Sequence, residues 1–202
     1  EYAMCLNLGG FSNISFNKHH ERLAFDICPV NIVMNHYAEK LGFSYDKGGE
    51  IAASGKLNTT LLDRLNALDF YKTEKPKSLG YEFVVETIFP LIDEFNLSIK
   101  DVLRTYVEHI AIQIGKVIDK NSTNSGGKVL VTGGGAFNQF LIKRMQFFTG
   151  TELVIPSKKI IDFKEAIIFG FLGVLKSQEE VNCLKSVTGA QKDHSSGIYF
   201  KI

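Results

Sequence analysis

The chain has 202 residues, 45% of them hydrophobic and 22% charged, which suits one large domain, or one compact domain with an insertion, around a sizeable core. A net charge of +1 with no basic stripe argues against nucleic acid as a partner. Cys5, Cys28 and Cys183 show neither metal spacing nor a disulfide framework, which points to a reducing, cytoplasmic setting, and the longest apolar run, AIIFGFLGVL at 166–175, is too short to span a bilayer.

Glu1 leads almost at once into an apolar strand, and no signal-peptide pattern precedes it, so the chain is expected to be a piece of something longer. AMCLNLGG (3–10) reads as a strand ending in a Gly-Gly turn. FSNISF (11–16) alternates as a strand does, NKHHE (17–21) reads as a polar turn with His19 and His20 on the surface, and RLAFDI (22–27) reads as a third strand. Links this short force an antiparallel meander. PVNIVMNHYAEKLG (29–42) follows as a helix, with Pro29 in its first turn and Gly42 at its stop.

Residues 43–58 are Gly-rich and polar and read as a loop. TTLLDRLNALDFY (59–71) is helical, with Leu61, Leu62, Leu65 and Leu68 on one face. A loop around Pro76 precedes a helix from about Tyr81. Val102, Val107, Ile110, Ile114 and Val117 recur at helical spacing through 98–121, and Ser98 with Asp101 resembles a capping box. NSTNSGG (121–127) is a loop, KVLVT (128–132) a buried strand, 136–148 a helix, TELVIPS (151–157) a strand and 162–178 the last strong helix. The tail from Ser186 reads as coil with a short strand.

With 43–97 set aside as a helical insertion, the order is β-β-β-α-α-β-α-β-α. This predicts an α/β fold of the ribonuclease-H-like type, the half-unit of actin-like ATPases: a three-stranded antiparallel meander plus parallel strands, flanked by helices.

Ligands of open α/β sheets bind beyond the carboxyl ends of strands, and three features gather there. Gly133-Gly134-Gly135 ends the fourth strand, and a helix from Ala136 starts behind it. That leaves free N–H groups and a bare backbone, as a nucleotide requires. Asn138 fills the last position of what would be GxGxxG, and no GxxxxGK[ST] is present, so neither common nucleotide fingerprint applies. A tight strand-to-helix turn is the plain alternative. Gly9 and Gly10, with Ser12 and Asn13, form either an ordinary hairpin turn or a second phosphate hairpin. Asp26 follows LAF and suits a general base in a cleft, or else an N-terminal cap for the helix behind Pro29. Glu165, near Asp162, is accounted for by a place in the first turn of the last helix.

Taken together, NLGGFSNIS, AFDICPVN, AASGKLN…LLDRL, PKSLGYEF, VTGGGAFN, DFKEAIIF and SVTGA resemble, in order and spacing, the anhydro-N-acetylmuramic acid kinases, sugar kinases of the actin-like superfamily. The resemblance covers essentially the whole chain but only the C-terminal portion of the family pattern, so residues 1–202 are expected to be the C-terminal lobe of a two-lobed kinase, without the N-terminal lobe. It implies Asp26 as catalytic base, within a segment like GFDTGPGN in which Asn31 also matches and contacts substrate. It implies nucleotide contacts from Gly9, Gly10, Asn13, Gly133, Gly134, Gly135, Ala136 and Asn138, and a place near the sugar for Glu165. ATP with Mg²⁺, an amino-sugar substrate and a dimeric state are implied in the same way; no resident metal site, membrane or nucleic-acid contact is.

In the implied reaction Asp26 deprotonates a water that opens the anhydro ring, and the released oxygen takes the γ-phosphate, giving N-acetylmuramic acid 6-phosphate in cell-wall recycling. A lobe alone is expected to be inactive. Two departures stand out: Ile27-Cys28-Pro29-Val30 replaces Thr-Gly-Pro-Gly, and Tyr81 replaces an arginine. They keep open a non-catalytic sensor of sugar or nucleotide, and an ATPase of the same superfamily without a sugar substrate.

Overall fold

The computed structural model describes residues 2–72, 77–122, 127–198 and 200. The loop expected around Pro76 and most of that expected at 121–127 lie outside the described residues, as do Tyr199 and the last two positions of the tail.

Strands β1 (Tyr2–Leu8), β2 (Phe11–Lys18) and β3 (Glu21–Pro29) form the expected meander, and β4 (Lys128–Thr132) and β5 (Leu153–Val154) follow. The sheet runs β3-β2-β1-β4-β5, with β1, β2 and β3 antiparallel and β1, β4 and β5 parallel. His19 and His20 close the second hairpin at φ of 51° and 67°, the left-handed geometry that matches strand twist in a two-residue turn. β3 runs on to Pro29, and α1 (Asn31–Glu39) starts two residues later than the proline suggested.

The segment read as a plain loop at 43–58 contains a 3₁₀ turn and α2 (Glu50–Ser54), both tied down by Asp46: its Oδ1 accepts from Ile51 N at 2.8 Å and its Oδ2 from Ala52 N at 2.9 Å. The helix expected at 59–71 breaks into α3 (Thr59–Asn66) and α4 (Asp69–Lys72). Next come α5 (Tyr81–Phe83), a π turn and α6 (Phe89–Asp93). Pro90 falls in the first turn of α6, where a missing N–H disturbs the ladder least.

α7 (Ile99–Asn121) is the spine of the molecule, 23 residues long and therefore about 34 Å. One face of the sheet, carrying Met4, Leu6, Leu8, Ile14, Phe16, Phe25, Ile27, Val129 and Val131, belongs to the core that includes α7. α2, α3 and α8 (Gln139–Phe148) pack around α7, so its middle is buried on nearly every side. The polar groups buried there survive because each is paired. Glu108 binds Arg144 through Oε1 at 2.6 Å and Oε2 at 2.8 Å, and Arg104 reaches Oε2 at 2.7 Å, which clamps α7 to α8. Tyr106 donates to the Pro29 carbonyl at 3.1 Å. His109 stands between Asn66 Oδ1 (2.8 Å) and the Tyr71 hydroxyl (3.0 Å), and Gln113 shares the same Asn66 oxygen. A carbonyl oxygen only accepts, so Nδ1 of His109 carries the proton.

The opposite face of the sheet is polar. Thr132, Asn7, Asn13 and Asp26 are register partners on β4, β1, β2 and β3, forming one row across four strands. α9 (Lys158–Ser177) and α10 (Lys185–Thr188) lie on that side. The strand read at 151–157 is reduced to the two residues of β5, and α9 starts four residues earlier than 162. Among the described residues, no helix is long and apolar enough to cross a membrane.

Burial lowers the pKa of His109 from 6.5 to about 3. Its stabilising contribution is therefore complete above the unfolded-state value of 6.5 and is lost as pH falls from 6.5 toward 3, at up to about 1.4 kcal/mol per pH unit. Urea titrations between pH 7 and pH 4 are expected to show this loss, and His109→Gln to show a shallower one.

Candidate functional site

The site is assembled at the carboxyl ends of β1, β3 and β4. Gly133 leaves β4 at φ 86° and ψ 167°, a region open essentially to glycine alone. A Cβ there would stand 2.6 Å from the Leu8 carbonyl oxygen and 2.8 Å from Asn7 Oδ1. At Gly135 a Cβ would meet the Leu8 Cβ at 2.8 Å. The bare backbone at the end of β4 thus serves first to lie against the end of β1. Gly134 has only Asn31 Nδ2 near it, at 3.6 Å, and its open side faces a cavity.

The turn continues as a 3₁₀ helix, Gly134–Phe137, instead of the α-helix expected from Ala136, and α8 starts only at Gln139. Ala136 is buried in the turn. Asn138 caps α8, its Oδ1 accepting from Leu141 N at 2.9 Å.

Gly9 and Gly10 turn the hairpin and hold the start of α1 through their carbonyls: Gly10 accepts from Val30 N at 2.7 Å and from Ile32 N at 3.3 Å, and Gly9 from Asn31 N at 3.2 Å. Asn31 Nδ2 donates to the Leu8 carbonyl at 3.2 Å. Asn31 therefore bridges the two glycine loops. A cavity of about 630 Å³ opens here between α1, residues 45–50 and the glycine turn, lined by Asn31, Gly134, Gly135, Asn138, Tyr45 and Lys158 among others.

Asp26 lies elsewhere on the rim. Its N–H donates to the Lys77 carbonyl at 3.1 Å, and its Oδ2 accepts from Leu79 N at 2.8 Å. α1 has no side-chain cap, so the capping explanation for Asp26 does not hold. The half-buried carboxylate lines a second cavity of about 600 Å³ with Asn13, Lys77, Ser78 and residues 185–189. Asn13 thus faces Asp26 and not the glycine turn. Lys77 and residues 186–189 of the SVTGA stretch line the Asp26 cavity, which position alone did not reveal; the PKS and SVTGA motifs were their only signal.

Beside Asp26 the chain runs extended. Cys28 is fully buried, and its N–H donates to Ser12 Oγ at 3.1 Å, while that hydroxyl donates to the Cys28 carbonyl at 3.0 Å. Burial pushes the Cys28 thiol up to about 12, so it is no nucleophile. Neither Cys28 nor Val30 has a positive φ, and both sit in the core. Where glycines would loosen the loop, these two side chains tie it down. Tyr81, at the start of α5, is exposed.

Glu165 is exposed, lies two turns into α9 and belongs to neither cavity. The helix dipole therefore does not account for it. Its neighbour Lys164, absent from the expected site, donates to Asn7 Oδ1 and to Thr132 Oγ1. Among the described residues, no group of three His, Cys, Asp or Glu side chains stands ready to hold a metal ion.

Comparison with known proteins places these features in a lineage. A family model described as anhydro-N-acetylmuramic acid kinase matches residues 1–201. The anhydro-N-acetylmuramic acid kinase of Aliivibrio fischeri is 32% identical over 201 residues, covering 96% of this chain and 55% of the relative. That of Haemophilus influenzae is 32% identical over 216 residues (96% and 56%), and that of gamma-proteobacterium EBAC31A08 is 34% identical over 180 (87% and 49%). The chain spans about half the length of the curated relatives it matches.

Among solved structures, the ADPNP-bound activator of the 2-hydroxyisocaproyl-CoA dehydratase from Clostridium difficile superposes with a TM-score of 0.51 at 16% identity, over 90% of this chain and 64% of that one. Component A of the (R)-2-hydroxyglutaryl-CoA dehydratase of Acidaminococcus fermentans gives 0.50 at 12% identity, over 83% and 59%. These likenesses establish the actin-like ATPase fold expected from the element order.

The glycine geometry sets up a contrast between two Ala substitutions. Gly133→Ala is expected to cost about 1–3 kcal/mol from backbone strain alone, with the clash against Leu8 in addition. At Gly10 the nearest atom to a new Cβ is 3.8 Å away, so Gly10→Ala is expected to be close to neutral. Guanidinium unfolding of the two variants measures the difference.

Proposed function

The chain belongs to the anhydro-N-acetylmuramic acid kinase family, and on that premise we propose that it is the C-terminal lobe of a two-lobed kinase that opens an anhydro amino sugar and phosphorylates it from ATP. The observation that carries this reading is the pairing of a glycine-lined cavity, bare at Gly134, with a separate cavity holding the Asp26 carboxylate on the same rim. The first suits a nucleotide and the second a sugar.

The donor set fits ATP in one respect: at Gly134 the backbone can approach phosphate oxygens that a side chain would hold off, and the opening N–H groups of a helical turn have no partner inside the turn. ATP with Mg²⁺, which binds through few carboxylates and the substrate's own phosphates, supplies the phosphoryl group. Asp26, oriented by Leu79 N, takes the proton of the attacking water. Asn31, fixed by the Leu8 carbonyl, positions ligand in the glycine cavity. Gly9, Gly10, Gly133, Gly135, Ala136 and Asn138 shape that cavity. Asn13 stands on the Asp26 side. Glu165 lines neither cavity, and a place near the sugar is supported for it by the family resemblance alone. Cytoplasmic cell-wall recycling is the setting this chemistry implies.

A second reading, a sensor that binds without turnover, is favoured by one observation: buried Cys28 and Val30 stiffen the loop beside Asp26. Incubating the full-length protein with ATP, Mg²⁺ and anhydro-N-acetylmuramic acid separates the readings. Phosphate transfer to sugar supports the kinase, binding without product the sensor, and sugar-independent phosphate release an ATPase. For the kinase, Asp26→Asn is expected to lower turnover by about two to four orders of magnitude while ATP still binds. A variant with full turnover removes Asp26 from the mechanism.

The two-lobed reading also draws support from α9. Ile160, Phe163, Ile167, Phe171 and Val174 recur at helical spacing and are 47–60% exposed, an apolar stripe of the kind that marks an interaction surface. The occupant proposed is the lobe that the longer relatives carry and this chain lacks. In the full-length protein, Ile167→Asp with Phe171→Asp is expected to uncouple the lobes, read by calorimetry as separate melting transitions. This chain's own unfolding free energy should change by no more than about 0.5 kcal/mol. A dimer of this chain that the same substitutions dissolve would assign the stripe to a second copy.

A further inference from the structure

Lys164 carries a charge that its surroundings do not balance. Its side chain is half-buried between the ends of β1 and β4. Asn7 Oδ1 accepts one N–H, and Thr132 Oγ1, at 3.3 Å, accepts another while donating its own O–H to the Leu6 carbonyl. Both acceptors are neutral. Among the described residues, no carboxylate lies within ion-pair distance of the ammonium. The adjacent Glu165 is exposed, and its influence on Lys164 is outweighed by burial, which lowers the pKa of the ammonium. A cation withdrawn from water without a counter-charge is costly unless a ligand supplies the charge, and an ammonium with three donors has one left to give.

Its position says what kind of ligand. Asn7 Oδ1, which accepts from Lys164, is one of the atoms that a Cβ on Gly133 would strike, at 2.8 Å, so the ammonium is bonded to a side chain that abuts the glycine turn. Thr132 and Asn7 are one end of the polar row whose other end is Asp26. Strands are spaced about 4.8 Å apart, so Lys164 and Asp26 stand two to three strand widths from each other, a span that a sugar ring and a phosphoryl group fill together.

We propose that Lys164 is a phosphate-contacting residue of the site, its ammonium held by Asn7 and Thr132 so that the remaining N–H meets the terminal phosphate of a nucleoside triphosphate. The inference rests on the nucleotide reading of the glycine cavity and adds to it the residue that distinguishes triphosphate from shorter nucleotides. Asn7 and Thr132 are positioning residues for that cation.

Calorimetric titration of the full-length protein with adenosine, AMP, ADP and ATP tests it, alongside Lys164→Gln, which keeps a hydrogen bond to Asn7 without the charge, and Lys164→Arg, which keeps the charge. The expected result is that the terminal phosphate tightens binding to the unsubstituted protein, that Lys164→Gln loses roughly ten- to hundredfold in ATP affinity with adenosine unaffected, and that Lys164→Arg recovers most of the loss. Equal losses for adenosine and ATP, or none for either, overturn the proposal and leave Lys164 as a strut between α9 and the sheet. In a parallel titration with anhydro-N-acetylmuramic acid, a loss confined to that sugar also overturns it, assigning the cation to the sugar's carboxylate. Adenosine binding that gains nothing from added phosphates overturns this inference and spares the nucleotide reading. Binding of none of the four overturns both.

Discussion

Two strand ends touch backbone to backbone at the rim of the sheet, and the site depends on that contact. Gly133 and Gly135 lie against Leu8 so closely that a single added carbon would collide with it. The Leu8 carbonyl then receives the Asn31 amide, while the carbonyls of Gly9 and Gly10 receive the first N–H groups around α1. The helix is thus anchored by the hairpin and needs no capping side chain. A bulkier residue at 133 would separate β1 from β4 and release α1 with it. The glycines make the site rigid before they make it roomy.

The two faces of the sheet divide the labour. One is apolar and packs with α7, whose few buried polar groups are matched: Glu108 with two arginines, His109 with Asn66 and Tyr71. Buried ion pairs of this kind contribute less to net stability than to fixing which helix meets which, since desolvation offsets much of the attraction. The other face presents a polar row from Asp26 to Thr132. Strand alternation permits both from one sequence: each residue that feeds the core has neighbours facing the cleft.

The meander, the long amphipathic helix and the glycine turn were legible because each rests on a local rule: short links, 3.6-residue periodicity, and three residues without side chains. What was not legible depended on partners distant in sequence. Residues 43–58 looked like a loop because Asp46 organises them with both carboxylate oxygens, a role no spacing announces. Asp26 reads from sequence as a cap for α1 or a base in a cleft, and only the uncapped start of α1 and the return of the chain at Leu79 remove the first choice. Glu165 seemed to sit at a helix start because Lys158 and Lys159 gave no hint that α9 had already begun. Lys164 went unnoticed since nothing in DFKEAIIF says that its ammonium turns inward to Asn7. The resemblance to a family implies roles for single residues, and the structure separates those residues into two cavities.

Both margins of the sheet are blunted against further strands. β5 is two residues long and offers hardly any ladder to extend. β3, though nine residues long, already gives the Asp26 N–H to the Lys77 carbonyl as the chain folds back along it. Runaway pairing of the kind that builds fibrils thus meets almost no ladder at β5 and an interrupted one at β3. When this polypeptide does stick to another, helical surface and not exposed ladder should be the adhesive, which makes such association saturable and reversible by dilution.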